Sequence, residues 1–274
     1  MNRLMKFGLL AAALFSGNAL AVPIYSNLPA TLPPSLPSLG YQATSTTEFG
    51  DHIQFAAGPR KLDSVTITMV DWAMASTYGS SAPGYQHNLT FNIYNYVNDT
   101  VAGPLIATTT QSAFIPWRPE ADTTGTCLSG TWLASNGNCY NGSAFNVVFD
   151  FSGQNVIMPN GIVFGLSYNT QSYGSTPIGQ PGPYNSLNYG LVATAPSVGT
   201  DVNPDSVFWN TSYPGFLTTG TPGTFGADTG WTGYAPAARF DAVTVPEPSS
   251  LGLFGIGLAG LAGLGATRRR KQAR

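Results

Sequence analysis

Between residues 22 and 245 no segment sustains a 3.6-residue apolar repeat, and that removes helical bundles and α/β layers from consideration. What recurs instead is alternation with a period of two. Val65, Ile67 and Met69 fall on one side of an extended run, with Thr66 and Thr68 on the other. Leu89, Phe91 and Ile93, followed by Tyr94 and Tyr96, repeat the pattern less cleanly. Such runs predict strands at 64–71, 89–96, 105–111, 145–151, 162–168, 187–193, 207–209 and 238–245. Gly58-Pro59, Gly103-Pro104, Pro159-Asn160-Gly161 and Pro181-Gly182-Pro183 supply the turns between them. The expected fold is all-β: an antiparallel sandwich of jelly-roll or immunoglobulin-like kind over residues 49–245. Residues 22–48, with Pro23, Pro29, Pro33, Pro34 and Pro37, read as an extended, strand-poor lead-in.

Charge narrows the partners. Only 9% of residues are charged, and the middle of the chain keeps four cations (Arg60, Lys61, Arg118, Arg239) against 12 carboxylates, a formal charge of −8. A body of that sign cannot coat a phosphate backbone, so nucleic acid is not an expected partner.

The ends carry addresses. Arg3 and Lys6 precede the apolar residues 7–15, and Ser16-Gly17-Asn18-Ala19-Leu20-Ala21 follows. This is the pattern of a secretory signal peptide over residues 1–21, a helix that engages the Sec translocon. Ala19 and Ala21 occupy the positions where signal peptidase admits only small side chains. At the other end Pro246-Glu247-Pro248 and Ser249-Ser250 lead into residues 251–266, which contain no polar or charged side chain, and then Thr267-Arg268-Arg269-Arg270-Lys271. A membrane helix is expected over about 250–267, and residues 249–267 as a helix would rise roughly 28 Å, close to the roughly 30 Å of bilayer hydrocarbon. Leu251, Phe254, Leu258, Leu261 and Leu264 form its bulky face, and Gly252, Gly255, Ala259, Gly263 and Ala266 the small one. The basic end, 268–274, stays in the cytoplasm and leaves the body of the chain beyond the inner membrane.

A Pro-Glu-Pro motif, a short apolar helix and an Arg-rich end, in that order over residues 246–274, resemble the PEP-CTERM sorting tail of Gram-negative bacteria. The resemblance implies that Pro246, Glu247 and Pro248 are the recognition element of an exosortase, a membrane-embedded cysteine transpeptidase, with Arg268, Arg269 and Arg270 as the basic end. It further implies an exported chain, anchored in the inner membrane and then transferred to the cell surface or extracellular matrix. Proteins with such tails accompany exopolysaccharide production and biofilm. Gly255-Ile256-Gly257-Leu258-Ala259-Gly260 matches the dinucleotide-binding glycine pattern, but it lies inside the apolar segment rather than between a strand and a helix, so no cofactor is expected.

Cys127 and Cys139 flank a Gly/Asn/Ser-rich loop and are expected to pair in an oxidising compartment, a crosslink of roughly 3 kcal/mol. Zinc would need two further ligands nearby, so no metal is expected. Catalytic patterns are thin. His52 and His87 belong to no His-Glu-x-x-His pattern, no Gly-x-Ser-x-Gly elbow occurs, and both histidines are expected to face solvent. Glu48, Asp51, Asp63, Asp71, Asp99, Glu120, Asp122 and Asp150 are expected mostly at strand edges and turns, and Asp201 to Asp205 as an Asx-turn rather than a calcium loop. Among Trp72, Trp117, Trp132, Trp209 and Trp231, the neighbours of Trp117 and Trp231 place these two on loops as possible glycan-stacking rings. Three readings stand: a non-catalytic surface or matrix protein, a carbohydrate-binding module, and a secreted hydrolase. The hydrolase would need a cleft with two acids or a Ser–His pair.

Overall fold

The computed structural model describes residues 20–40, 46, 48–168, 187–210, 223–227 and 233–244. Its strands are β1 (Val22–Ser26), β2 (Ser38–Gly40), β3 (Glu48–Gln54), β4 (Lys61–Asp71), β5 (Gly84–Tyr96), β6 (Ala102–Pro116), β7 (Trp132–Leu133) and β8 (Cys139–Tyr140). They continue as β9 (Ser143–Asp150), β10 (Gly161–Ser167), β11 (Leu187–Val192), β12 (Thr200–Asp201), β13 (Ser206–Asn210), β14 (Thr224–Ala227), β15 (Ala235–Pro236) and β16 (Ala238–Val243). Each of the eight strands expected from sequence coincides with one of these.

The first sheet runs β1-β16-β4-β11-β15, with β2 on β11 and β9 on β4; the second runs β14-β13-β3-β10-β5-β6, with β12 on β3. Neighbouring strands are antiparallel, and β7–β8 forms a separate ribbon. Alternate residues of both sheets point into one core. Phe91 of β5 lies 5.2 Å from Phe149 of β9 and 5.9 Å from Phe240 of β16, and Phe164 of β10 lies 5.6 Å from Phe240. Aromatic rings of one sheet therefore pack on the other, each buried ring contributing about 1.5–3 kcal/mol.

The Pro-rich lead-in is more structured than its composition suggests. Its first five residues are β1, which buries Ile24 and Tyr25 and pairs with β16, Val22 opposite Ala242. Pro23 is tolerated because β1 is the edge strand, where a missing N–H costs no ladder bond. Residues 27–37 then cross the outer face of the first sheet as a strap. Proline cannot donate but still accepts: Ala144 N–H bonds Pro34 O at 3.0 Å and Leu191 N–H bonds Pro37 O at 2.7 Å.

Residues 21–244 form one compact unit. Among the described residues no helix is long and apolar enough to cross a membrane; the expected signal helix and the expected tail helix lie outside the described residues.

Candidate functional site

The alternation that sends Val65 and Ile67 into the core turns Thr66 and Thr68 to the outer face of the first sheet. Val148 and Asn146 stand opposite them on β9, and Arg239 faces Thr66 from β16. Together with Asp241 these side chains floor a groove of about 720 Å³, walled by Leu28 to Leu32 of the strap and by Val198. The wall is fixed from below. Buried Asn27 accepts from Ala238 N at 2.8 Å and donates to Pro236 O at 2.9 Å. Ser26 N–H bonds Val198 O at 2.9 Å, and Ser197 N–H returns to Ser26 O at 2.7 Å.

The floor is polar but carries little net charge. Arg239 meets Asp241 through Nε at 2.8 Å and Nη2 at 2.7 Å, and this partner raises the Arg239 pKa further. The arginine is 44% exposed and the aspartate 10%, so the guanidinium is the half a ligand would meet. Thr68 Oγ1 donates to Asn146 Oδ1 at 2.8 Å, which leaves the asparagine NH₂ for a ligand. Paired donors and acceptors beside Leu28, Leu32 and Val148 suit a neutral, polyhydroxylated molecule with an apolar face. Among the described residues no histidine lines the groove, and Asp241 is its one carboxylate.

The tryptophans redistribute. Trp117 is stacked on Tyr78 at 5.3 Å and tilted against Tyr85 at 4.5 Å, with Nε1 buried and without a partner among the described residues. Its ring closes the end of the sandwich rather than offering a free face. Trp231 lies outside the described residues. Trp72 is the exposed ring, at 43%, lying over Gly142 beside a smaller pocket of about 260 Å³ shared with Tyr140 and Pro37. Trp132 is buried, its Nε1 on Gly142 O at 2.8 Å, and Trp209 packs on Phe49 at 5.2 Å.

Cys127 and Cys139 form a disulfide with a Cα–Cα distance of 5.6 Å. The loop they close is anchored by Arg118, which donates to Trp72 O, Pro119 O and Gly130 O at 2.9, 3.0 and 2.7 Å. Just before the loop Asp122 accepts from Thr124 N and Cys127 N, which holds its carboxyl down at about 2. Asn203 N–H bonds Asp201 Oδ1 at 3.2 Å, an Asx-turn. Ala21 is exposed just before β1. Ala19, Pro246, Glu247, Pro248, Arg268, Arg269 and Arg270 lie outside the described residues.

The histidines and three of the acids contradict their expected exposure. His52 is 1% exposed, stacked 3.7 Å beneath Tyr96 with Nδ1 3.7 Å from Asp99, and burial pushes its pKa down. His87 lies within β5, half-buried, its ring 5.6 Å from Tyr168. Glu48, Asp51 and Asp71 are buried strand residues rather than edge or turn residues. Glu48 gathers Asn92 Nδ2 at 2.7 Å, Tyr94 OH at 2.8 Å and Asn210 Nδ2 at 3.0 Å. Burial raises the Asp51 pKa well above the carboxylate range and pushes Asp71 up to about 8. Neither His52 nor these acids reach the groove. The groove residues themselves went unmarked in the sequence, although Thr66 and Thr68 had shown as the outward side of β4.

Residues 244–271 match the family model of the PEP-CTERM protein-sorting motif. No curated protein and no solved structure matches the chain.

Proposed function

We propose that this chain is an exported, non-catalytic surface or extracellular-matrix protein. On this reading it is held in the inner membrane by its C-terminal helix and then processed by an exosortase at Pro246-Glu247-Pro248. The observation that carries the reading is the match of residues 244–271 to the sorting motif, joined to an N-terminal signal pattern. The disulfide agrees with export, because such bonds persist outside the cytoplasm. Glycoside hydrolysis needs two carboxylates across the substrate, and among the described residues Asp241 is the one carboxylate lining the groove, which supports a binding rather than a hydrolytic role. In the producing bacterium, full-length protein should partition with membranes and a shortened form with the surface or medium. A chain lacking residues 246–274 should bypass the membrane-bound stage. A full-length product that stays soluble in the cytosol rejects the proposal.

A second reading, a carbohydrate-binding role in the matrix, is favoured by the groove floored by Thr66, Thr68, Asn146 and Arg239. If it holds, Arg239→Ala and Asn146→Leu each weaken retention on the organism's own exopolysaccharide by about tenfold, the size of one lost charged or bidentate hydrogen-bonded contact. Trp117→Ala leaves retention unchanged. Wild-type protein that migrates through that polysaccharide unretarded removes this reading and leaves the first intact.

A further inference from the structure

The outer face of the first sheet does not end at the groove. Between β4 and β9 it runs from Thr66 opposite Val148, through Thr68 opposite Asn146, to Val70 opposite Ala144. One more step in the same direction reaches Trp72 and Gly142, where the pocket of about 260 Å³ lies. From Thr68 to Trp72 is four residues of extended chain, about 13 Å, further than one sugar ring spans. The strap serves both places. Leu28 and Leu32 wall the groove, and Ser35, Leu36 and Pro37 wall the pocket. Pro34 O, bonded by Ala144 N–H at 3.0 Å, fixes the crossing between them. Trp72 is held there as a platform. Arg118 Nε donates to its carbonyl at 2.9 Å, which pins the backbone below the ring. Gly142 seats the indole: a Cβ there would lie 2.5 Å from both Cδ1 and Nε1, so a larger residue displaces the ring. The seat is itself fixed, since Trp132 Nε1 donates to Gly142 O at 2.8 Å and the Trp132 ring lies 5.8 Å from that of Tyr140. Trp72 nonetheless stays 43% exposed.

The lining of this pocket is neutral. Among the described residues no charged side chain takes part in it, and the Arg118 guanidinium turns its donors to three backbone carbonyls. What it offers is an indole face, an exposed Asn141 amide and the Tyr140 hydroxyl, whose oxygen accepts from Asn136 Nδ2 at 2.9 Å and whose own hydrogen is left to donate. Cys139 lines the same pocket, so the disulfide steadies the wall that carries Tyr140. We propose that Trp72 is a stacking subsite for a pyranose ring, and that pocket and groove hold two stretches of one polysaccharide chain. This rests on the carbohydrate-binding reading of the groove. The indole takes the apolar C–H face of the sugar, while Tyr140 and Asn141 meet its hydroxyls. The two contacts reinforce each other, because a chain seated in the groove presents its next sugars to Trp72 at high effective concentration. Affinity then rises with ligand length until the ligand spans both places.

The test uses full-length chain purified in detergent, with exopolysaccharide from the producing bacterium and fragments of it sized after partial hydrolysis. Trp72→Ala should weaken retention on the polysaccharide by about tenfold, and Trp72→Phe, which keeps a ring, by less. Long fragments should bind wild-type protein about tenfold or more tightly than disaccharides, and Trp72→Ala should remove most of that advantage. A measurement on unsubstituted protein stands beside these: mild N-bromosuccinimide oxidation, located by peptide mass mapping, should strike Trp72 and be suppressed by the long fragments. Retention that Arg239→Ala weakens and Trp72→Ala leaves unchanged overturns the subsite while the groove reading stands. So does equal affinity for disaccharides and long fragments, or oxidation of Trp72 that the fragments do not suppress. Protection of Trp72 by a proline-rich peptide and not by the polysaccharide overturns it as well. Wild-type protein that migrates through the polysaccharide unretarded removes the groove reading, and the subsite falls with it.

Discussion

Asp71 ends β4 fully enclosed, and burial pushes its carboxyl up to about 8 against the opposing pull of Ala73 N–H at 3.2 Å and the Arg118 charge. The same group ionises near pH 4 in an unfolded chain. Across the window from about 4 to about 8 the folded state keeps a proton that the unfolded state has released, so stability is greatest below that window and declines as pH rises through it. Burial raises Asp51 and Asp201 in the same direction. Urea midpoints should therefore fall between pH 5 and pH 8 by an amount equivalent to a few kcal/mol. Asp71→Asn should remove part of that slope, and an unchanged slope would assign the effect elsewhere. Glu48 makes a second case. Glu48→Ala removes the shared acceptor of the half-buried Asn92, Tyr94 and Asn210 side chains and should cost about 2–4 kcal/mol in urea unfolding. Gly165→Ala should mimic it, because the new Cβ would lie 2.3 Å from Glu48 Oε1. None of this was legible in the sequence. The partners of Glu48 sit on β5 and β13, far along the chain, so it looked like any other acid, and His52 looked exposed because Tyr96 reaches it only through the sheet.

At the scale of elements, legibility followed the alternation. β4, with Val65, Ile67 and Met69 against Thr66 and Thr68, announced itself, whereas β3 did not, because Asp51 stands between the inward Phe49 and Ile53 and hides the period. Strand ends were missed for a different reason. β5 begins at Gly84 since Gly84 pairs with Pro116, a register set by β6 and invisible in the polar stretch from Gly84 to Asn88. The strap and β1 were obscured by proline, whose carbonyls bond as well as any. Asn27 is the hinge of that strap. Asn27→Ala should leave Pro236 O and Ala238 N without partners, cost about 2–3 kcal/mol, and open the groove wall, detectable as faster hydrogen exchange at residues 26–28 and 197–198. Among the described residues the disulfide loop is a long connection legible as such, from its two cysteines and its glycines. Replacing both cysteines with serine should lower stability by roughly 3 kcal/mol, read as the shift in urea midpoint. A cost near zero would mean that Arg118, with its three carbonyl contacts, already confines the loop.

For the whole molecule, the sorting motif was legible from the C-terminal end and the body only as a fold class, and the reason is physical. A signal or a membrane helix is a local composition of some 20 residues, whereas a groove is assembled from β1, β4, β9 and β16, whose contacts no local pattern states. The two ends of the sandwich also differ in what they can lose. The compact unit spans Ala21–Thr244, and among the described residues β16, ending at Val243, is the last strand of the sheets. β1 begins at Val22, immediately after the expected signal cut, and contributes Ile24 and Tyr25 to the core. Matched truncations should therefore diverge. Removal of residues 245–274 should leave the urea midpoint of the oxidised domain within the change expected of a surface edit, about 0.5 kcal/mol. Removal of residues 22–26 uncovers β16 and empties two core positions, a loss of about 3–5 kcal/mol for each large side chain, enough to unfold a domain of ordinary stability. Equal sensitivity at both ends would mean that the tail packs on the sandwich, and the body and its address would then have to be treated as one folding unit.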